Sequence, residues 1–355
     1  MSNHALEKEL ILLAVLKNRS NAENNRIEEI AANELDWGWI GGQLLHHRLT
    51  GYFVIGLGPL AEQLMHEEFS KALELIMKSQ AQQLAETNQI ILPILKQFEE
   101  SGIPYAALKG LVFNASLYEP GERRSNDSDI LVMEDDLDRL DAILRKNGYI
   151  QSNRPNGEFK EASRKEKMIQ RMNYHDLVPY VKQIDAVFMK IHEIDINFHM
   201  DSKDNDITKK VFMLGTERYK NGHYEVKGLP WETHLAQLCI HFCREGTSSI
   251  WSSGRRDVVL YKIVDIANTV RLAKDEEHLF QWISLMKQLS LDKACYYTLH
   301  YIAQFYPQLL SLQMLATVRP DDTAYLDEIA IAGEDRIVKR QSAFIDTAFN
   351  LTYKK

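Results

Sequence analysis

Apolar positions at helical spacing dominate the first hundred residues of the chain. Four leucines between Leu10 and Leu16 form one such stripe, and a longer apolar series with charged residues between its members runs from Pro59 to Glu100. Residues that recur three or four positions apart share one face of an α-helix. Ser101-Gly102 ends the series with a helix-stop signal. The pattern therefore predicts an N-terminal helical region.

After Gly102 the pattern changes to short apolar runs separated by turns. Residues 104–108 and Ile130 to Val132 are typical of buried strands, and Pro120-Gly121 forms a turn between them. The stretch 135–146 is an amphipathic helix with acidic residues in its first turn. Alternation of strands and helices over so short a stretch is typical of α/β architecture.

The second half of the chain begins with a polar, basic stretch at residues 151–174. This composition favours a surface loop, with an arm over a triphosphate or an anionic acceptor as the alternative. Residues 176–182 and 188–199 then predict an antiparallel pair of strands, and the chain after Pro230 is predicted to be helical to its end. The predicted domains are an N-terminal helical region at 1–101, an α/β core at 102–229 and a C-terminal helical domain at 230–355.

Charge and cysteine usage narrow the class of protein. The formal net charge is -8 and the sequence pI is about 5.9, so the chain is acidic. Proteins that bind a long phosphate backbone usually carry a basic surface instead. A long polynucleotide is therefore a disfavoured partner. The three cysteines, Cys239, Cys243 and Cys295, give no disulfide framework and too few thiols for a structural zinc site. With no signal pattern and no apolar run of membrane-spanning length, we expect a cytoplasmic protein without a membrane partner.

The sharpest chemical feature is the pair of acids Asp127 and Asp129 at the start of a buried strand. Residues two apart on a strand project to the same side. Two neighbouring carboxylates repel each other unless a cation lies between them, and Mg²⁺ prefers such hard oxygen ligands. An isolated Asp-x-Asp is common by chance in polar turns, so the pair alone does not establish a metal site.

A second polar face strengthens the prediction of a metal site. Glu193, Asp195, Asn197 and His199 alternate with apolar residues along one predicted strand. A solvent-facing edge would give this pattern, but so would an active-site strand. Asp195 could then bind metal and accept a proton from an attacking hydroxyl.

Lys109-Gly110 lies at a strand-to-helix turn, one short helix before the acidic pair. Glycine allows a phosphate to approach the backbone, and the N–H groups at the start of a helix attract anions. The dipeptide is weak evidence by itself, and its position near the acids gives it weight.

Taken in order, these motifs resemble the uncharacterised nucleotidyltransferase family of the DNA polymerase β superfamily. The resemblance covers about residues 100 to 270. It rests on Ala107-Leu108-Lys109-Gly110, Leu117-Tyr118, Gly121, Arg123, Asp127 to Val132, Gly148-Tyr149, Ile194 to His199, Leu229 to Glu232 with His234, Leu238 and His241, and Leu260 to Ala267 around Asp265.

The resemblance implies an α/β (α+β) fold, with a small mixed β-sheet nucleotidyltransferase core flanked by N- and C-terminal helical regions. It implies a transferase that binds a nucleoside triphosphate through Mg²⁺, with two metal ions expected. Asp127, Asp129 and Asp195 would be the catalytic and metal-binding carboxylates. Lys109 and Gly110 would form the phosphate loop, and Arg123 would meet phosphate or the acidic cluster.

The sequence departs from the family pattern at two places that matter. Many superfamily members have Ser after the glycine, where this chain has Leu111, which weakens the expected grip on triphosphate. Asn197 stands where a His is often found, so Glu193 remains a rival to Asp195 as the third carboxylate.

The expected reaction is nucleotidyl transfer from an NTP, with ATP as the expected donor, to a hydroxyl of a small-molecule, peptide or protein acceptor. The alternatives are a catalytically degenerate module that binds or senses nucleotides, and an enzyme that acts on RNA ends.

Overall fold

The computed structural model describes residues 4–154, 157–174, 176–201, 205–222 and 224–351. The chain divides into two compact units. One comprises Met1–Glu74 together with Leu235–Lys355, and the other comprises Leu75–His234.

A mixed β-sheet forms the centre of the second unit. Within the described residues it has seven strands in the order β3-β4-β5-β2-β1-β7-β6. β2 pairs with β5 in parallel, whereas β1 with β2, β4 with β5 and β6 with β7 are antiparallel. The strands are β1 (Tyr105–Ala107), β2 (Ser128–Val132), β3 (Ile150–Gln151), β4 (Tyr180–Gln183), β5 (Ile191–Asn197), β6 (Glu217–Asn221) and β7 (Tyr224–Gly228).

One face of this sheet carries the core of the unit. Apolar side chains of β2 and β5 alternate with polar ones, as the period of two requires. The apolar set includes Ile130, Val132, Ile194 and Ile196, which pack with Phe98 and other residues of the long helix α6. The opposite face of β2 and β5 therefore carries the acids. The helices associated with this unit are α6 (Glu67–Glu100), α7 (Gly110–Asn114), α8 (Leu137–Lys146), α9 (Arg164–Tyr174) and α10 (Asn205–Met213), with α6 beginning in the other unit.

The first unit is mainly helical. Its helices are α1 (Ala5–Ala14), α2 (Asn21–Ala31), α3 (Trp37–His46), α4 (Thr50–Leu57), α5 (Leu60–Leu64), α11 (Trp231–Gly246), α12 (Ser249–Ser252), α13 (Leu260–Val270), α14 (Glu276–Gln288), α15 (Asp292–Phe305), α16 (Leu312–Val318) and α17 (Phe344–Phe349), with α11 beginning in the second unit. Short strands β8 (Glu328–Ala330) and β9 (Ile337–Lys339) pair antiparallel near its C-terminal end.

The predicted α/β fold with a mixed sheet and helical flanks is confirmed, and two local predictions are wrong. The basic stretch predicted as a loop contains α9, whose first turn is fixed by reciprocal Ser163 and Glu166 hydrogen bonds of 3.2 and 2.7 Å. The region predicted to be helical to the end contains β8 and β9. These strands have three residues each and are exposed except around Ile329, so their strand pattern is too weak to be seen in the sequence.

Among the described residues, no helix is long and apolar enough to cross a membrane.

Candidate active site

The three predicted acids come together on one face of the sheet. Asp129 lies directly opposite Asp195 in the parallel pairing of β2 with β5, so both side chains project from the same face. Asp127 immediately precedes β2. Asp129 is buried, Asp195 is partly exposed and Asp127 is exposed. The cluster is thus anchored in the sheet at Asp129 and open to solvent at Asp127.

The charges in this cluster are poorly compensated. Although Asp127 is exposed as a residue, the protein atoms around its carboxylate desolvate the charge, and this desolvation, followed by the charge of Asp129, raises its pKa to about 6. Burial, followed by the charges of Asp129 and Asp127, also raises the pKa of Asp195 well above its ordinary value. The positive charge of Lys109 opposes both shifts without cancelling them. An additional cation would therefore stabilise the ionised cluster.

Lys109 supplies the cation that is present. Its Nζ lies 2.6 Å from Oδ1 of Asp129, in an ion pair that is largely shielded from solvent. The residue has φ of 46°, in the left-handed region that non-glycine residues rarely adopt. Its backbone N–H donates to Nε2 of His234 at 3.2 Å. The turn predicted at Lys109-Gly110 thus has its strained residue at Lys109, which is held in place by Asp129 and His234.

Gly110 is required by the space around it. A Cβ atom there would lie 2.8 Å from Nη1 of Arg123 and would also meet the hydroxyl of Ser125. Arg123 is buried, donates to Oγ of Ser125 at 2.7 Å and has its guanidinium 5.3 Å from the centre of the Phe113 ring. Arg123 and Ser125 therefore pack directly against Gly110 on the buried side of the turn.

Substitution of Gly110 tests whether this turn binds phosphate. In Gly110→Ala the new methyl group must displace Arg123 and Ser125, so we expect Mg·ATP affinity to fall by about tenfold or more. Calorimetric titration measures this loss. Gly254→Ala is a matched control, because a Cβ there meets no atom closer than 3.7 Å. Equal affinity in both variants would place the phosphate site elsewhere.

Glu193, the rival for the third carboxylate, lies two residues before Asp195 on β5 and so shares its face. Its carboxylate contacts the guanidinium of Arg154 in an ion pair. Asn197 ends the same strand, whereas His199 lies beyond it and is buried, with Nε2 4.0 Å from the carboxylate of Glu134. The predicted polar face therefore extends to Asn197, and His199 leaves it because the strand has ended.

A buried polar chain behind the acids was not found from the sequence. Ser128 Oγ lies 3.1 Å from Nε2 of His192, and the Tyr149 hydroxyl lies 2.6 Å from Nδ1 of the same ring. Ser128 and His192 are on β2 and β5, on the face opposite Asp129 and Asp195. These hydrogen bonds thus join the two acid-bearing strands on the face opposite the acids. The only sequence signal for this network is that His192 lies two and four residues before Ile194 and Ile196, which places it on their buried face.

Buried His192 makes stability depend on pH. Burial, and secondarily the charge of Lys182, lowers its pKa to about 4. The unfolded chain binds a proton near pH 6.5 while the folded chain does not, so the free energy of unfolding should fall as pH drops from about 6.5 to about 4. The loss should approach 3 kcal/mol at the lower end. Urea unfolding of wild type and His192→Asn measures it; an equally steep decline in the variant would contradict this assignment.

The donor set of the cluster fits Mg²⁺ in its chemistry, because the carboxylates of Asp127, Asp129 and Asp195 offer hard oxygen ligands. Within the described ranges, however, no group of three His, Cys, Asp or Glu side chains is arranged to hold a metal ion. The Lys109 ammonium at Asp129 explains part of this arrangement, since it already contacts one of the carboxylate oxygens. Metal binding at that oxygen of Asp129 would therefore require this lysine to move.

Comparison with known proteins places the chain in a family. A sequence model described as "Uncharacterised nucleotidyltransferase" matches residues 33–307, which is more than half of the chain. The chain belongs to the uncharacterised nucleotidyltransferase family. The resemblance inferred from the motifs is thereby confirmed. The matched range contains the acids, the Lys109-Gly110 turn and His192, so every candidate site residue of this nucleotidyltransferase-family chain lies within it.

Other comparisons add little. No curated protein matches the chain. Among solved structures, a match is "Crystal structure of an antigenic nucleotidyltransferase-like protein from Paracoccidioides brasiliensis", at 10% identity over 59% of this chain and 92% of that chain. Its TM-score of 0.29 is too low to support an argument about fold or function.

Proposed function

We propose that the protein transfers a nucleoside monophosphate from an NTP, with ATP as the expected donor, to a hydroxyl of a small-molecule, peptide or protein acceptor. The observation that carries the proposal is the meeting of Asp127, Asp129 and Asp195 on one open face of the sheet, with Asp129 and Asp195 directly opposite each other. Family membership supports this reaction class, since the family is described as "Uncharacterised nucleotidyltransferase".

Asp127, Asp129 and Asp195 would hold Mg²⁺ in the working enzyme, with two ions expected. When bound, Mg²⁺ would stabilise the charge on the attacking and leaving oxygens. Lys109 would then release Asp129. Its ammonium lies on a flexible four-carbon stem, so it could turn from the carboxylate to the phosphates of the nucleotide while Gly110 and Arg123 keep the turn in shape.

Asp195 would accept the proton of the attacking hydroxyl. The acceptor oxygen bonds to the α-phosphorus, the bond from that phosphorus to the pyrophosphate oxygen breaks, and pyrophosphate departs. In the metal-free protein, burial and then the charges of the neighbouring acids raise the pKa of Asp195. Bound Mg²⁺ would lower that pKa and keep the carboxylate ionised, so that it could accept the proton. Glu193 would remain paired with Arg154 and support the strand.

A nucleotide-binding module without catalysis is the second candidate. The Lys109–Asp129 ion pair favours it, because a lysine that stayed on Asp129 would keep metal from the cluster. Leu111, buried where many superfamily members have Ser, also removes a hydroxyl from the phosphate turn.

The experiment incubates the protein with each α-labelled ribonucleoside triphosphate, Mg²⁺ and a cell extract, and then identifies the labelled product. We expect one donor to label a discrete acceptor in the presence of Mg²⁺. Binding of nucleotide without any labelled product would favour the non-catalytic module. Labelling of RNA ends would instead establish the RNA-directed alternative.

A further inference from the structure

Helix α9 carries an unusual solvent face. Met168, Ile169 and Met172 are 54%, 41% and 67% exposed. An α-helix turns by about 100° per residue. This spacing places the three apolar side chains and two exposed basic ones within one arc of about 140°, namely Arg164, Lys165, Met168, Ile169 and Met172. Within the described part of the chain, Arg164 and Lys165 make no ion pair, so the arc combines apolar contact area with uncompensated positive charge.

Two basic residues that border this arc are fixed to the sheet unit: on the helix, Arg171 lies about 20° and Lys167 about 60° from Arg164. Arg171 donates to the Glu134 carboxylate at 2.8 Å, and its guanidinium lies 5.6 Å from the centre of the Phe198 ring. Lys167 contacts Glu161, which also accepts from Arg145 of α8 at 3.0 Å. Arg171 and Lys167 are thus used to hold the helix, and Arg164 and Lys165 are the basic residues that the arc offers to another molecule.

We propose that α9 is the docking surface for the acceptor, and that the acceptor is a polypeptide segment with acidic and apolar side chains. This inference rests on the proposed function, whose acceptor it specifies. Charge complementarity selects the acidic character, because the exposed arc carries Arg164 and Lys165 and no acidic residue. Met168, Ile169 and Met172 select apolar partners, since flexible thioether side chains adapt to varied apolar surfaces.

An RNA acceptor fits this surface less well. Single-stranded RNA is held by a continuous positive groove with aromatic side chains on which bases stack. The exposed arc of α9 offers two methionines and an isoleucine instead of aromatic rings. Its apolar area would remain in contact with water when phosphates bound Arg164 and Lys165.

The docked segment would lie within reach of the acids. Arg171 fixes the C-terminal half of α9 to Glu134, which lies five residues beyond Asp129. Five residues span at most about 18 Å when fully extended, so Asp129 and Glu134 lie within about 18 Å of each other. An extended acceptor segment of about five residues could span this distance. A serine, threonine or tyrosine hydroxyl at that distance from the docked residues could reach the cluster.

Fluorescence anisotropy with the full-length protein tests the surface. The probe is a labelled 12-residue peptide of alternating Glu and Leu, compared with an otherwise identical Lys–Leu peptide, a Glu–Ser peptide and a 12-nucleotide single-stranded RNA. We expect the Glu–Leu peptide to bind most tightly. Met168→Ser combined with Met172→Ser should weaken it by at least about tenfold, because two apolar contacts are lost. Met213→Ser, at a residue 78% exposed on α10, should not change it.

Three results would overturn the proposal: failure of the Glu–Leu peptide to bind, tighter binding of the RNA, or equal losses in the Met213 variant and the α9 variant. Asp127→Asn and Mg·ATP titration separate this proposal from the proposed function. Asp127→Asn should bind the peptide normally, because α9 does not include the acids. The α9 variant should bind Mg·ATP normally. Peptide binding by a protein that transfers no nucleotide would refute the proposed function and leave the docking surface intact.

Discussion

Asp127→Asn and Asp129→Asn should each lower the turnover number for nucleotidyl transfer by at least about a thousandfold. These two carboxylates are the pair assigned to Mg²⁺: Asp127 lies at the solvent-exposed end of the cluster, and Asp129 is buried at its sheet end. An amide retains the shape of the side chain and removes the charge that holds the metal. Steady-state transfer of label from the NTP at saturating Mg²⁺ measures the effect.

Thermal unfolding without Mg²⁺ provides the control for folding, and the two variants should differ in it. Removing the Asp127 charge relieves repulsion by Asp129, so Asp127→Asn should raise the melting temperature slightly. Contact with solvent screens this repulsion, and we expect a gain of about 1 kcal/mol at most. Asp129→Asn should lower the melting temperature, because Lys109 loses its partner at 2.6 Å. Near wild-type turnover in both variants would refute the role of the pair.

Asp195→Asn should reduce catalysis by orders of magnitude while Mg·NTP binding is largely retained, whereas Glu193→Gln should cost about tenfold or less. The two residues lie roughly 6.6 Å apart along β5, and a carboxylate must approach to about 2.1 Å to ligate Mg²⁺. The same spacing separates Asp127 from Asp129, so the choice between Asp195 and Glu193 rests on the partners of the two side chains. Asp195 is opposite Asp129 in the sheet, and Glu193 is paired with Arg154.

Turnover and Mg·NTP affinity must both be measured for this pair of variants, because loss of the base should lower turnover without weakening the nucleotide complex. Arg154→Gln tests the supporting role given to Glu193: it should resemble Glu193→Gln, since either change breaks the same ion pair. An inactive Glu193→Gln with an active Asp195→Asn would show that the third carboxylate had been assigned to the wrong residue.

The arrangement of the acids followed from short-range pattern. Asp127, Asp129 and the alternation around Asp195 carry a period of two, and that period alone places them on one side of their strands. The antiparallel pairing of the segments that became β4 and β5 was also predicted correctly, from two consecutive strand-like runs. These features depend on residues close in sequence, so the sequence contains the information.

Long-range contacts explain what was missed. Three contacts join residues far apart in sequence. They are the ion pair of Lys109 with Asp129, the hydrogen bond from the Lys109 N–H to His234, and the buried hydrogen bonds of His192. No local pattern specifies them. Helix α9 escaped prediction for a different reason: its apolar residues face solvent, so Met168 and Met172 stand among charges without a buried stripe to mark a helix.

The most direct test of the account is a comparison of α-labelled and γ-labelled ATP, each incubated with the protein, Mg²⁺ and cell extract. Nucleotidyl transfer predicts that the acceptor retains only the α label while the γ label is released in pyrophosphate, and that EDTA or Asp127→Asn abolishes both events. Appearance of the γ label on the acceptor, or unchanged α-label transfer by Asp127→Asn, would contradict the assignment of this site to Mg²⁺-dependent nucleotidyl transfer.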